Sequence, residues 1–490
     1  MFRTTSSKMI NNIFLIFFVA LFGFIYVDYL SLTEIGTYVS LLIFIVVILI
    51  SISRLDVGIV LVLFLSFYIS EFPRNIVDNY NEIQISKTVA YNVISTVSLS
   101  SFTLINLLFL FNSMLSVFYL YKNSVKFKFV SFFPISLFFI IGAISFFYGY
   151  IFLDAEVGRS IISDMKFPIF IILGFFQGVY LVAKGRCHFV YSLFLIYPLF
   201  SGLRVLFFIV SDINLSQINL YFMANTTISL VVLAYVIVSR KSTIYDKFRY
   251  RFLLYVSLLE PSRSVIVFIF LVLISSTFLS LFFPGKSKSG RKVIVEFSSV
   301  AMGVLTVMAL FVPEAFLFML WKLNVFGELF NSSTQLSGSG TLRLLELKNI
   351  FYENTLDVFR FLFGKGFGGT YLFREFTLDG LPPLDLKSFS KDQLESNVYY
   401  TTHSFSSHML LKFGVVGLLS YVAIPLFLIN KFFKLSKLDF RYFIFFVFSI
   451  LTVYNYYWRL EFAILIGIFI SFASLTKNYG SKFPIGGNSD

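Results

Sequence analysis

Residues 398–421 read VYYTTHSFSSHMLLKFGVVGLLSY. They close a long polar excursion that begins near Pro313, and they open an apolar run that continues to Ile429. About 20 predominantly apolar residues are needed for a helix to cross a hydrocarbon core of roughly 30 Å. His403 therefore stands at the mouth of a membrane helix. Upstream of the excursion the chain reads as membrane scaffold, and downstream of this stretch lies one more helical hairpin. Any chemistry is expected where the excursion meets the bilayer, with His403 near its centre.

The composition carries the same reading to the whole chain. Its 490 residues are 58% hydrophobic and only 13% charged, whereas a soluble domain carries about 25% charged residues. The mean hydropathy of +0.85 belongs to a polytopic membrane protein. The 68 phenylalanines and 28 tyrosines suit lipid-facing helices and interfacial belts. A single cysteine, Cys187, excludes an intrachain disulfide. The net charge of +13 does not point to nucleic acid. Residues 313–408 hold 8 basic and 10 acidic side chains, so the rest of the chain carries +15, mostly in short turns. That is the positive-inside pattern.

Candidate membrane helices lie at 13–29, 35–52, 57–70, 93–121, 130–151, 167–182, 189–210, 220–238, 264–283, 293–312, 410–429, 443–457 and 460–475. The first is read as a retained helix, because no small-residue cleavage site follows it. Residues 252–260 are apolar but too short to span unaided, and Pro261 interrupts them. The expected fold is all-α, with about fourteen transmembrane helices, or twelve if 252–260 and one neighbour do not span. This count places the basic turns, among them Arg54, Lys122, Lys184, Arg186 and Lys434, on one side with both termini. The expected regions are a membrane bundle over 1–312, a large outer loop over 313–408, and membrane helices with a tail over 409–490.

The excursion is too long to be a bare connection. Ser339, Gly340 and Thr341 offer a helix start. Leu344, Leu345, Leu347, Ile350 and Phe351 then recur at roughly helical spacing, opposite Glu346, Lys348, Asn349 and Glu353. This predicts an amphipathic helix on the membrane surface, ended by the glycine run 364–369.

Four places could carry chemistry. Arg263 sits at the break between two apolar runs, where it either snorkels to the interface or offers a bidentate fork to an anionic group. Arg343 falls in the first turn of the amphipathic helix, unfavourably placed against the dipole. It is either a surface anchor or half of an anion site with the free N–H groups there. His403 is either a structural histidine or an acid–base group. The glycine run, with Gly366 and Gly368, matches no nucleotide-binding fingerprint and reads first as a turn. Three histidines and one cysteine show no metal-ligand spacing, and no cofactor is expected.

Three motifs resemble the O-antigen polymerase and ligase family of bacterial surface-polysaccharide assembly. They are Pro261-Ser262-Arg263-Ser264; Leu342-Arg343 with the later 362–368 stretch LFGKGFG; and His403 followed by Gly414-Val415-Val416-Gly417. The likeness covers about the C-terminal half, with Ser404 where the family usually has Asn and Leu347 where an aromatic often follows. It implies a glycosyltransferase of the bacterial inner membrane, with its site on the periplasmic face and an undecaprenyl-pyrophosphate-linked oligosaccharide as donor. Arg263 and Arg343 would grip the pyrophosphate and His403 would stand close to the reacting atoms, with Arg204, Gly366, Gly368 and Ser404 in support. The first reading is a polymerase of lipid-linked repeat units, with membrane lipid and a chain-length regulator protein as partners. A ligase acting on lipid A–core is the alternative, and a transporter or flippase of lipid-linked glycan is the reading from another class. One visibly broken helix and one dominant outer loop favour an enzyme over the paired broken helices of transporters.

The charge pattern makes a direct prediction. A cysteine introduced at Ser388 should react with a membrane-impermeant reagent added outside the cell, and one at Lys434 only after permeabilisation. Protection of Ser388 in intact cells would reverse the assigned topology.

Overall fold

The computed structural model describes residues 34–69, 98–99, 102–125, 158–186, 339–378, 391–435 and 463–471, with a few isolated positions between them. Within these the chain is predominantly helical. Four helices are long and apolar enough to cross a membrane: Ile35–Ser53, Leu104–Lys122, Asp164–Ala183 and Ser406–Ile424. The protein is a helical membrane protein. Its total span count, and Arg204 and Arg263 with the segments around them, lie outside the described residues.

Helices α1 (Glu34–Ser53) and α2 (Leu55–Ile69) form a hairpin over a one-residue turn. At that turn Arg54 grips Asp56 bidentately, Nε to Oδ1 and Nη2 to Oδ2 both at 3.1 Å. Helix α1 leaves Ile35, Tyr38, Leu42, Leu49 and Ile52 more than half exposed. An apolar stripe of that length is tolerable only against lipid or another helix.

The apolar run at 93–121 does not become one helix. A two-strand ribbon, β1 (Ser98–Leu99) with β2 (Phe102–Thr103), precedes α3 (Leu104–Lys122). Hydroxyl residues are poor in helix interiors, and the sequence around 98–103 is rich in them. Conversely, α4 (Gly158–Ala183) begins well before the apolar stretch at 167 and continues through Pro168.

Helices α3 and α4 run parallel. Phe109 meets the edge of Phe170, Ser113 reaches the Leu173 carbonyl, and Tyr119 meets Tyr180 further along. The fully buried Gln177 amide donates to the Phe109 carbonyl at 3.1 Å and to Ser113 Oγ at 2.8 Å, a polar clasp inside the bundle. Residues 463–471, all buried, press onto α4 through glycines. A Cβ on Gly174 would lie 2.2 Å from the Ile464 carbonyl oxygen, and one on Gly467 2.1 Å from that of Ile171. Small residues let membrane helices approach this closely, where apolar burial gives little drive for association. Residues 463–471 are thus a packed part of the bundle.

The excursion folds as α5 (Ser339–Thr355), α6 (Val358–Phe363) and α7 (Lys391–Ser396). Asp357 caps α6 by accepting from the Phe359 N–H at 2.9 Å, which splits the single expected helix in two. Both α5 and α6 pack against α8 (Phe405–Leu435), which kinks at Gly414 (φ 62°). Near the kink, three successive carbonyls take partners from outside the helix. Leu410 O accepts from Asn354 Nδ2 at 2.8 Å, Leu411 O from the Lys365 N–H at 2.7 Å, and Lys412 O from the Gly366 N–H at 3.0 Å. Gly364 and Gly414 cross backbone to backbone here, and a Cβ on either would lie 2.5 Å from the other segment's main chain.

Gly414→Ala is expected to cost more than the roughly 1–3 kcal/mol of forcing a side chain into a backbone conformation that glycine alone adopts readily, because the added carbon also strikes Gly364 and Leu362. Gly185→Ala shares the positive φ but meets nothing within 4 Å, so it lacks the collision. Thermal midpoints of the two purified variants in detergent measure the difference. Equal shifts would mean that the crossing tolerates a methyl group.

Candidate functional site

His403 lies in the connection that leads from α7 into α8. Ser404 follows it as the helix cap, with Oγ accepting from the Ser407 N–H at 3.2 Å and its carbonyl accepting from the His408 N–H at 3.1 Å. Ser and Asn are both strong cap formers, so Ser404 serves the helix start. Upstream, Tyr399 pairs with Tyr371 in an isolated antiparallel bridge, N to O at 2.8 and 2.9 Å. This ties the connection to the strand-like segment after the glycine run.

Beneath His403 sits Glu346 of α5, fully buried. Its Oε1 lies 2.6 Å from His403 Nδ1, and its Oε2 accepts from the His403 backbone N–H at 2.9 Å. The Tyr371 hydroxyl donates to the same Oε1 at 2.9 Å. Burial, and then the neighbouring carboxylate, push the Tyr371 phenol far above its usual range, so it remains a donor. Phe389 meets the histidine ring edge-on at 4.9 Å. Tyr371, Phe373, Phe389 and Tyr399 form the aromatic wall behind it. The His403 side chain keeps 28% of its surface exposed, and Nε2 has no hydrogen-bond partner among the described residues.

Arg343 lies three residues before Glu346 on the same helix, a spacing that sets Cβ atoms about 5–6 Å apart. It is exposed and has no ion-pair partner among the described residues. Helix α5 thus carries both Arg343, on its exposed side, and the buried carboxylate that His403 contacts.

Gly366 and Gly368 have another role. The Gly366 N–H goes to Lys412 O, and the Gly368 N–H donates to Asp164 Oδ2 at 2.8 Å. With these amides taken, the run is a latch between helices. Lys365 inside it bonds to Glu353 and donates to the Thr370 carbonyl at 2.7 Å. Burial lowers its ammonium pKa, against the opposing pull of Glu353.

His408 belongs to a second cluster. Its Nε2 is 3.9 Å from Asp164 Oδ1, while the fully buried Lys412 reaches Asp164 Oδ2 at 2.7 Å and the Gly369 carbonyl at 2.8 Å. Sequence reasoning did not single out Glu346, Tyr371, Asp164 or Lys412, and it placed Glu346 and Asn349 on a solvent face although both are buried. Lys412 carried a usable signal, since a charge within an apolar membrane run needs a partner. Glu346 carried none, because its burial depends on which face of α5 meets α8.

Helix α4 relates the site to the basic turns. Asp164, near its start, holds the glycine run. Just past its other end, Arg186 Nε approaches Asp56 at 3.6 Å and Lys184 lies over the Tyr119 ring. The two ends are about 30 Å apart at 1.5 Å per residue, roughly a hydrocarbon core. Arg54, Lys184 and Arg186 thus gather at the end opposite His403. No family model, curated protein or solved structure matches the sequence.

Lys412→Met leaves Asp164, whose side chain is only 10% exposed, without its cation, a change expected to cost up to about 3–5 kcal/mol. Combining it with Asp164→Leu should recover part of that loss, since two apolar residues leave no buried charge. Thermal midpoints of the single and double variants test this, and a double variant weaker than the single would refute the pairing.

Proposed function

We propose that the protein is a membrane glycosyltransferase that polymerises lipid-linked oligosaccharide repeat units at the outer face of a bacterial inner membrane. The observation that carries this reading is the His403 ring, held from behind by Glu346 with Nε2 unengaged among the described residues. The site's position opposite the basic turns supports the outer face. The motif resemblance supplies the substrate class, an undecaprenyl-pyrophosphate donor and a second lipid-linked unit as acceptor.

In this reading the acceptor hydroxyl gives its proton to His403 Nε2 as its oxygen bonds to the donor's anomeric carbon. The bond from that carbon to the pyrophosphate oxygen breaks, and its electron pair leaves with the lipid pyrophosphate. Negative charge develops on that leaving group. Arg343 would supply a cation for it, and the motif resemblance adds Arg263. A guanidinium suits this better than an ammonium, because its planar fork pairs with two phosphate oxygens at once.

The test is extension of purified lipid-linked repeat units by the purified protein, with each variant checked for expression. His403→Ala should lose roughly 10²–10⁴-fold in rate, the usual contribution of general-base help, with donor binding largely kept. Arg343→Ala should abolish long glycan and Arg343→Lys should restore only part of it. His408→Ala, confined to the Asp164 cluster, should stay near the parent rate. An active His403→Ala protein would remove the proposed base, and transfer to lipid A–core in place of repeat units would make the enzyme a ligase.

A further inference from the structure

We infer that Glu346 is the positioning residue of this site: it holds His403 in the tautomer that leaves Nε2 free as the proton acceptor. The inference rests on the general-base reading above and extends it to a residue that no motif marks.

Three donor positions converge on this one buried carboxylate: the His403 ring at Nδ1, the His403 backbone N–H and the Tyr371 hydroxyl. An ionised carboxylate only accepts hydrogen bonds. At 2.6 Å from Oε1, Nδ1 must therefore carry the hydrogen of the neutral imidazole, so the lone pair is on Nε2. The backbone contact fixes the chain position of His403 while the ring contact fixes its rotation. Phe389 closes one side of the ring edge-on.

The charge arrangement argues against a purely structural anchor. Among the described residues no lysine or arginine bonds to Glu346, in contrast to Asp164, which has Lys412, and Glu353, which has Lys365. A buried carboxylate with no permanent cation is costly. Its natural counter-ion is an imidazolium that exists only after His403 has taken a proton. When the acceptor's proton arrives on Nε2, the hydrogen on Nδ1 stays there and Glu346 stays ionised. The positive charge that forms on the ring then sits against a preplaced negative one. In serine hydrolases an aspartate performs this service for a histidine, and its amide replacement costs about 10⁴ in rate by favouring the wrong tautomer.

Glu346→Gln disturbs this arrangement in either amide orientation. With the amide NH₂ toward Nδ1, the ring must turn Nδ1 into an acceptor and place its hydrogen on Nε2. With the amide oxygen there, the NH₂ faces the His403 backbone N–H, donor against donor.

Two measurements on the full-length purified protein decide the matter. The first is nitrogen NMR of protein labelled with ¹⁵N-histidine, with His403 assigned by comparison with His403→Ala. Neutral His403 should show hydrogen on Nδ1 in the parent protein, and a changed tautomer or exchange between tautomers in Glu346→Gln. Hydrogen on Nε2 in the parent would overturn the inference, and this holds even if the Gln variant does not fold. The second is glycan extension by folded Glu346→Gln, expected to lose kcat by roughly 10²–10⁴-fold while KM for the lipid-linked donor changes little. A Glu346→Gln protein with parental kcat, beside an inactive His403→Ala, would sink the positioning role and leave the base in place. A fully active His403→Ala would instead sink the reading on which it rests.

Discussion

The hydrogen bonds around the Gly414 kink are the constraint on which the rest of the site depends. A membrane helix cannot leave carbonyls bare in a medium without water, so its kink requires donors from elsewhere. Asn354, the Lys365 amide and the Gly366 amide supply them. Two glycines at the crossing remove the side chains that would hold the backbones apart, and both have positive φ, which glycine adopts without strain. Helices α5 and α6 are thereby fastened to α8, and the Tyr371–Tyr399 bridge ties in the connection beyond. With α5 fixed in rotation, Glu346 comes to lie under His403.

Two carboxylates, Asp164 and the buried Glu346, divide the work of this region. Asp164 joins α4 to the latch and to α8 through a permanent cation, Lys412, and through the Gly368 amide. Its charge is neutralised within the fold, which makes it a mechanical joint at the depth of the helix. Glu346 lies near the exposed ring of His403 and has hydrogen-bond donors around it but no fixed cation. Two side chains of the same chemistry thus differ in role because of what faces them. His403 and His408 differ for the same reason, although only five positions separate them.

The bundle below is assembled by contacts suited to lipid. Gly174, Gly178 and Gly467 give close backbone approach, and Gln177 joins α3 to α4 by hydrogen bonds that have no water to compete with them. Helix α5 shows the complementary logic. It exposes Leu344, Leu347 and Phe351 while burying Glu346, Asn349 and Asn354. Its polar side chains point inward because the kinked helix and the extended segment at Phe376 offer them backbone partners. Leu342 and Ile350 are buried beside these polar groups, and Arg343 and Lys348 share the exposed side with the apolar residues, so both faces of the helix are mixed.

Much of this was legible in the residues themselves. Among the described residues, apolar run lengths marked the four long apolar helices, with errors where α3 starts late and where charged residues at the start of α4 hid its first turns. The basic turns gave the expectation that α3, α4 and α8 start from a common end, since each runs toward a basic turn. His403 was visible because a polar aromatic segment meets an apolar run there, and Arg343 because a cation stands against a helix dipole. Run length, charge and dipole are local properties, and a sequence displays them directly. Glu346, Tyr371 and the Asp164–Lys412 pair were decided only by tertiary structure. Each gains its meaning from a partner between 25 and 248 positions away. Which face of α5 turns inward is set by the Gly364–Gly414 crossing, a contact between two backbones on which side-chain periodicity has no bearing.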